Sequence, residues 1–257
     1  MGVSDTQMES MVFAAFAVAN VGFADSEIGI DLTIVHQTKL PYEEGNAVTS
    51  EKLTFLRENE EALAIRNEYG ADLVVLIGEL NDVCGQASFL PDTLPEHAEF
   101  AYSAASPNCL YTLVLGHEIG HNLGCIHNRE DSYRQFEYAH GRRICPDEVQ
   151  TSVGFSTIMS YQDSMSPCFT SRVNMYSNPN VTYLGMPTGT ETENCARAIE
   201  VNKVVVSNFR DKILDGQEPE DGEESEEYEG GVLEALWAQV NVWLPFVPIG
   251  VVFWLFK

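Results

Sequence analysis

The chain has 257 residues, enough for one domain with a hydrophobic core and appended segments, and it carries a net charge of −25. An acidic excess of this size argues against nucleic acid as a partner, because phosphate groups would be repelled. The six cysteines include no C-x-x-C pair, so a structural zinc ribbon is not expected either.

The first part of the chain alternates between helical and strand patterns. Apolar residues over 11–24 have the spacing of an amphipathic helix, and no Lys or Arg lies in the first ten residues, which argues against a secretory signal. Residues 50–69 are rich in helix-forming residues and stop at Gly70, so a second helix is predicted there. Residues 30–36 alternate as in a strand, and 73–78 form a short apolar run typical of an interior strand.

The most specific signal is the segment 110–128, which reads LYTLVLGHEIGHNLGCIHN. It contains the pattern H-E-x-x-H-x-x-G-x-x-H, formed by His117, Glu118, His121, Gly124 and His127. Side chains four residues apart share one face of a helix, so His117 and His121 can direct two imidazoles at one metal ion. Gly124 lets the chain leave the helix, so that His127 returns as a third ligand. Three imidazoles leave one position of a tetrahedral Zn²⁺ open, as in catalytic zinc sites.

A second motif, residues 156–161 (STIMSY), resembles the Met-turn of the metzincin zinc peptidases, with Met159 as its methionine. Further segments that carry the resemblance are residues 69–74, 82–85, 176–181 and 206–210. Over residues 7–212 the sequence is similar to the secreted, reprolysin-like (adamalysin-type) metallopeptidases, especially their bacterial members. The resemblance implies an α/β (α+β) metzincin fold with a mixed, mostly parallel sheet, two long helices, an active-site helix, a Met-turn and a smaller C-terminal subdomain.

The resemblance also implies the chemistry of a zinc metalloendopeptidase. One Zn²⁺ would be held by the three histidines, and Glu118 would be the general base that takes a proton from the attacking water. Met159 and Gly124 would give structural support. Tyr161 is interpreted either as a group that reaches the zinc or the oxyanion, or as a packed aromatic of the cleft wall. A structural Ca²⁺ has no support in the sequence.

Two alternatives to the enzyme are a catalytically inactive metzincin-fold module for binding or adhesion, and a structural zinc site. The complete motif and its adjacent Glu118 favour the enzyme over both. One departure from the family concerns the residue after the third histidine, which is usually Asp and here is Asn128. This change could weaken the support of the Met-turn without abolishing zinc binding.

The resemblance and the order of the cysteines predict three disulfides, with six free thiols in a reducing compartment as the alternative. The predicted pairs are Cys84–Cys109, Cys125–Cys145 and Cys168–Cys195. Such pairs fit an extracellular location, either secreted or on the cell surface.

A polypeptide is the expected partner, held extended along an edge strand over 100–105 that follows a loop over 81–99. Irregular residues 164–187 are expected to form the far wall of the cleft. A cluster of basic residues is interpreted as paired with nearby acidic groups in preference to substrate. This cluster consists of Arg129, Arg134, Arg142 and Arg143.

A helix predicted over 192–210 closes the catalytic domain, residues 1–212. This domain is expected to be N-terminally incomplete, because the resembled family has a strand, a propeptide and a signal before its first helix. Residues 213–231 are acidic and predict a disordered linker. Residues 232–257 are strongly apolar and long enough for a transmembrane anchor, with a removed lipid-anchor signal or a membrane-surface segment as alternatives.

Overall fold

The computed structural model describes residues 4–40, 47–132, 136–162, 168–212 and 247–255. The predicted linker over 213–231 lies outside these ranges, as does the first part of the apolar C-terminal segment. The predicted domain limits therefore stay predictions.

Helices cover both faces of a central sheet. Within the described ranges the α-helices are α1 (Asp5–Asp25), α2 (Thr49–Glu58), α3 (Glu60–Glu68), α4 (Val114–Asn122), α5 (Pro146–Val149) and α6 (Cys195–Val206). Two 3₁₀-helices cover Pro95–Phe100 and Pro107–Thr112. The single helix predicted over 50–69 is divided in two at Asn59, whose side chain caps α3 by accepting a hydrogen bond from the Ala62 amide at 2.9 Å.

Helix α1 lies where an amphipathic helix is predicted. Its inner face, with Val12, Phe16, Ala19 and Phe23, packs into the main core. Among the described helices α1 alone is long and apolar enough to cross a membrane by length and hydropathy. The apolar residues of α1 that raise its hydropathy include those that pack into the main core.

The central sheet has five strands in the order β1–β10–β2–β4–β3, with β3 antiparallel to β4 and all other neighbours parallel. Smaller sheets contain β5–β6–β7 and β8–β9. The strands are β1 (Ile30–Lys39), β2 (Leu73–Ile77), β3 (Gly85–Ala87), β4 (Tyr102–Ala105), β5 (Arg143–Ile144), β6 (Gly154–Ser156), β7 (Thr170–Arg172), β8 (Thr182–Tyr183), β9 (Met186–Pro187) and β10 (Val247–Leu255). A mixed α/β architecture is thus confirmed.

Strand β2 explains why the sheet needs two helical layers. Leu73, Val75 and Ile77 face the core that α1 and α4 cover, whereas Val74 and Leu76 face a second core beneath α2 and α3. All five side chains are buried, since successive residues of a strand point to opposite faces. The prediction of an interior strand over 73–78 is confirmed.

Strand β10 comes from the predicted membrane segment. It lies between β1 and β2, with Val247 beside Ile30 and Val251 beside Leu73. The Gly250 amide also donates to Asp72 Oδ2 at 3.0 Å. Residues 247–255 are therefore a strand of the central sheet in this structure.

The prediction that residues 100–105 form the edge strand is wrong. Strand β4 is interior, and the edge is β3, within the segment predicted as a loop. A three-residue strand of Gly, Gln and Ala carries no alternation that a sequence reading could detect. The Ser106 amide donates to Cys84 O at 2.8 Å and holds β3 against the end of β4.

The disulfide Cys84–Cys109 is confirmed, with its Cα atoms 5.7 Å apart. The other two predicted pairs are wrong, because Cys145 bonds to Cys168, with Cα atoms 4.6 Å apart. Cys145 follows β5 and Cys168 precedes β7, so the β5–β6–β7 sheet brings them together. Cys125 and Cys195 are buried free thiols that lie side by side, with Cys125 Sγ 3.6 Å from Cys195 O.

Candidate active site

Helix α4 positions the first two histidines. All nine of its residues are buried, and His117 and His121 lie one turn apart on the face toward the cleft. His117 Nδ1 donates to Ile158 O and His121 Nδ1 donates to Cys125 O, each at 2.8 Å. A carbonyl oxygen can only accept, so each imidazole carries its proton on Nδ1 and presents an unprotonated Nε2.

The chain leaves α4 at Gly124, which has φ +92°, a conformation that favours glycine. A Cβ there would overlap Asn202 Nδ2, so the position is restricted by packing as well as by φ. The turn returns His127 to the helix. His127 Nε2 lies 3.1 Å from His117 Nε2 and 3.2 Å from His121 Nε2.

These three nitrogens fit a metal ion. Zn–N bonds of about 2.0–2.1 Å place two tetrahedral ligand atoms about 3.4 Å apart, close to the observed separations. Burial lowers the pKa of His121 to about 4 and that of His127 to about 3, and it lowers the pKa of His117 well below its ordinary value. Neutral imidazoles whose lone pairs face one another at this distance repel unless a cation lies between them. The group is therefore suited to a metal ion.

The Glu118 carboxyl group lies beside the histidines and is only 4 % exposed. Its burial raises the pKa to about 8, against the opposing effect of the Arg172 charge. The side chain packs against β3 so closely that a Cβ on Gly85 would overlap Glu118 Oε1. Glu118, His121, His127 and Tyr161 line the same cleft as the β3 backbone, with a volume of about 240 Å³.

The turn at Ile158–Ser160 packs against α4. Met159 is fully buried, and a Cβ on Gly120 would overlap its Sδ atom. The Tyr161 ring is 42 % exposed and lies 4.1 Å from the His127 ring, centroid to centroid. Asn128 still supports this turn, because its Oδ1 accepts from the Tyr161 amide at 3.0 Å.

Comparison with known proteins supports the interpretation of this cluster. The family model for "Metallo-peptidase family M12B Reprolysin-like" matches residues 9–128, which include the whole histidine motif. This match assigns residues 9–128 to the reprolysin-like family. The resemblance noted in the sequence is thereby confirmed.

Curated relatives of this reprolysin-like chain carry the name peptidyl-Asp metalloendopeptidase. Those of Stenotrophomonas maltophilia (strain K279a) and Xanthomonas campestris pv. campestris are each 30% identical over 211 residues, covering 79% of this chain and 48% and 47% of the relatives. That of Pseudomonas aeruginosa is 24% identical over 233 residues, covering 81% of this chain and 38% of the relative. The chain thus spans about half the length, or less, of the curated relatives it matches.

A solved structure described as "Structure of a chaperone-substrate complex" has a similar fold. Its TM-score is 0.60 at 20% sequence identity, and the match covers 80% of this chain and 32% of the other. At this identity the likeness concerns the fold alone.

Two residues of the reprolysin-like site were not singled out by the sequence. His140 is fully buried, and its Nδ1 donates to His127 O at 2.8 Å while its Nε2 accepts from the Phe136 amide at 3.0 Å. It holds the backbone of the third histidine, and its position 13 residues further along the chain gives no periodic signal. The other residue is Arg172, at the end of β7.

The basic cluster predicted to be structural is paired largely within the fold. Arg142 lies 3.6 Å from Glu193 and donates to two backbone carbonyls, and Arg143 lies 2.9 Å from Asp131. Arg129 donates to Phe136 O and Glu137 O. Arg134 lies outside the described residues.

Proposed function

We propose that the chain is the catalytic domain of a zinc metalloendopeptidase that hydrolyses peptidyl-Asp bonds in extended polypeptides. The observation that carries the proposal is the convergence of three neutral imidazoles on one point, beside the buried Glu118 carboxyl and at the open face of a cleft. The name of the curated relatives supports the choice of substrate.

The three histidines would hold one Zn²⁺, with His117 and His121 fixed by their Nδ1 hydrogen bonds and His127 by its position after Gly124. When bound, zinc supplies a Lewis acid that polarises the scissile carbonyl and acidifies water. The backbone partners of the two Nδ1 atoms keep the rings in the tautomer that presents Nε2 to the ion.

Glu118 would act as the proton carrier. Its carboxylate accepts the proton of the attacking water and then delivers it to the leaving amine. The contact with Gly85 aims the carboxyl across the cleft, and its burial excludes bulk water from the transfer. Tyr161, at the cleft surface beside His127, can donate its phenol O–H to the developing oxyanion.

We assign the turn at Ile158–Ser160 the role of the Met-turn, since Met159 packs beneath α4. Substrate would bind extended along β3, whose outer side faces the cleft and lacks a strand partner among the described residues. The two disulfides favour a secreted or cell-surface location with the peptidase domain outside the cell.

The alternative of an inactive binding module predicts a folded protein without hydrolysis. The Glu118→Gln variant separates the two functions, because the amide keeps the shape of the side chain and cannot accept the proton. We expect zinc content to remain near one ion per chain and turnover of a quenched Asp peptide to fall at least ~10³-fold.

A chelator such as 1,10-phenanthroline should abolish hydrolysis by the unmodified protein, and added Zn²⁺ should restore it. Glu58→Gln, which replaces a carboxylate with an amide on α2, serves as the control and should keep full activity. A Glu118→Gln variant with full hydrolytic activity would refute the assignment of the proton carrier.

A further inference from the structure

Arg172 is held against the turn that borders the candidate active site. It is the last residue of β7, and its register partner in β6 is Ser156. Its Nη2 atom donates to Ser160 O at 3.1 Å, which fixes the guanidinium group against the turn that carries Met159. The side chain is therefore positioned by the same turn that packs under α4.

No acidic side chain among the described residues forms an ion pair with Arg172. Its Nε is buried and has no hydrogen-bond partner among these residues. Arg142 and Arg143, in contrast, each have a carboxylate partner. A buried guanidinium without a counter-ion is costly, and this cost is offset when an anion binds.

Arg172 lies close to the candidate metal site. Its hydrogen-bond partner Ser160 directly precedes Tyr161, which lines the cleft and whose ring lies 4.1 Å from the His127 ring. No ion pair of the described residues joins Arg172 to Glu118. The guanidinium is therefore next to the wall of the cleft in which substrate would bind.

We propose that Arg172 is the specificity-determining residue that binds the carboxylate of the substrate Asp at the scissile bond. The inference rests on the proposed function. Ser160 O occupies one N–H of Arg172, and the Nε–H, which has no hydrogen-bond partner among the described residues, can form one of the paired hydrogen bonds that a guanidinium makes to a carboxylate. A guanidinium tied to a turn has a fixed reach, which suits the short Asp side chain.

The first test compares three quenched peptides that differ only in the residue after the scissile bond: Asp, Asn or Ala. The unmodified protein should prefer Asp over Ala in kcat/KM by ~10- to 100-fold, the size expected for a charge-assisted hydrogen-bonded pair. In Arg172→Gln this ratio should fall to near one, because the loss in kcat/KM should be larger for the Asp peptide than for the Ala peptide. Arg172→Lys should recover part of the preference, and the control Arg197→Gln, on α6 and outside the residues that line the cleft, should leave the preference unchanged.

The second test measures binding without turnover. Zinc-loaded Glu118→Gln protein is titrated with fluorescein-labelled Asp and Asn peptides, and anisotropy gives Kd. The Asp peptide should bind ~10-fold more tightly or better, and adding Arg172→Gln should remove the difference. If the unmodified protein cleaves none of the peptides, the proposed function is refuted. The ratio of the Kd values of the Asn and Asp peptides still tests the role of Arg172 in that case.

Two results would overturn the assignment. The first is that the unmodified protein shows no preference for Asp, in cleavage or in binding, or that Arg172→Gln leaves its preference unchanged. The other is an equal loss for all three peptides, which would make Arg172 a positioning residue for the turn. Circular dichroism of each variant shows whether an equal loss arises from misfolding.

Discussion

The metal-binding segment and the central strand of the sheet are built in opposite ways. His117 and His127 are 10 residues apart, and one helix and one turn bring their nitrogens together. Strand β10 lies in the middle of the sheet, yet its Gly250 hydrogen-bonds to Asp72 across a sequence separation of 178 residues. The metal-site residues are close together in sequence, whereas the central sheet combines strands from the first and the last described segments of the chain.

Because of this difference, we expect the helix and turn to determine activity and β10 to determine stability. A change in a cleft-facing side chain such as Glu118 should alter activity first, because residues 117–127 alone bring the three metal-site nitrogens together. A change in β10 should alter stability first, since β1 and β2 each pair with it along their length. The predictions below test this separation, beginning with the largest expected effect.

Truncation after Lys212 should remove the cooperative unfolding transition. It deletes β10, in which Ile249 and Val251 are fully buried, and each such side chain contributes ~1.5–3 kcal/mol by burial alone. The hydrogen bonds to β1 and β2 are lost as well, and the total approaches the ~5–15 kcal/mol stability of a typical domain. Thermal denaturation followed by circular dichroism measures the effect.

Ile249→Val in the full chain serves as the matched control and should cost only ~0.5–1.5 kcal/mol. Replacement of residues 247–255 by a Gly/Ser sequence of equal length should reproduce the truncation. A truncated protein that melts at the same temperature as the full chain would show that β10 is dispensable.

Gly85→Ala should impair catalysis with little change in stability or zinc content. The added Cβ would overlap Glu118 Oε1 and lie 2.7 Å from Val114 Cγ2, so the carboxyl group must move. Displacement of a proton carrier by about 1 Å costs on the order of 10²-fold in kcat/KM. Gly116→Ala is the matched control on α4, because its Cβ would meet nothing closer than 3.6 Å. Equal activity of both variants would contradict the assigned position of Glu118.

The sequence predicts the local features well and the long-range ones poorly. The H-E-x-x-H-x-x-G-x-x-H spacing predicts the convergence of the imidazoles, because helix periodicity and the glycine turn determine it. Leu73 and its β-branched neighbours predict an interior strand because both faces must be apolar. The roles of Glu118 and Tyr161 in catalysis stay predictions.

The missed features depend on contacts between distant segments. The apolar run that contains β10 fits a membrane anchor and a buried strand equally well, since hydropathy alone does not distinguish them. Cys145 and Cys168 pair because a small sheet joins them, and sequence order carries no record of that sheet. Arg172 stands out only in three dimensions, where its buried Nε has no hydrogen-bond partner among the described residues.

The smallest predicted effect is a pH dependence at Asp72, the residue that joins β10 to the end of α6. Its carboxylate accepts from the amides of Gly250 and Arg210, but burial outweighs these bonds and raises its pKa from 3.8 to about 6. The folded protein therefore holds this proton more tightly than the unfolded chain. The contribution to stability is present below pH ~4 and is lost as the pH rises to ~6, by roughly 2–3 kcal/mol.

Asp72→Asn removes this titration. Urea denaturation at pH 4, 5, 6 and 7 should show the unmodified protein losing stability relative to the variant as the pH rises, and Asp25→Asn, at an exposed position, controls for the loss of one acidic group. The opposite slope would mean that the two amide hydrogen bonds outweigh burial and that the folded pKa lies below 3.8. Asp72 directly precedes β2 and is not among the residues that line the cleft. Catalysis per folded molecule should therefore be the same in both proteins, as expected if the sheet determines stability and the helix and turn determine activity.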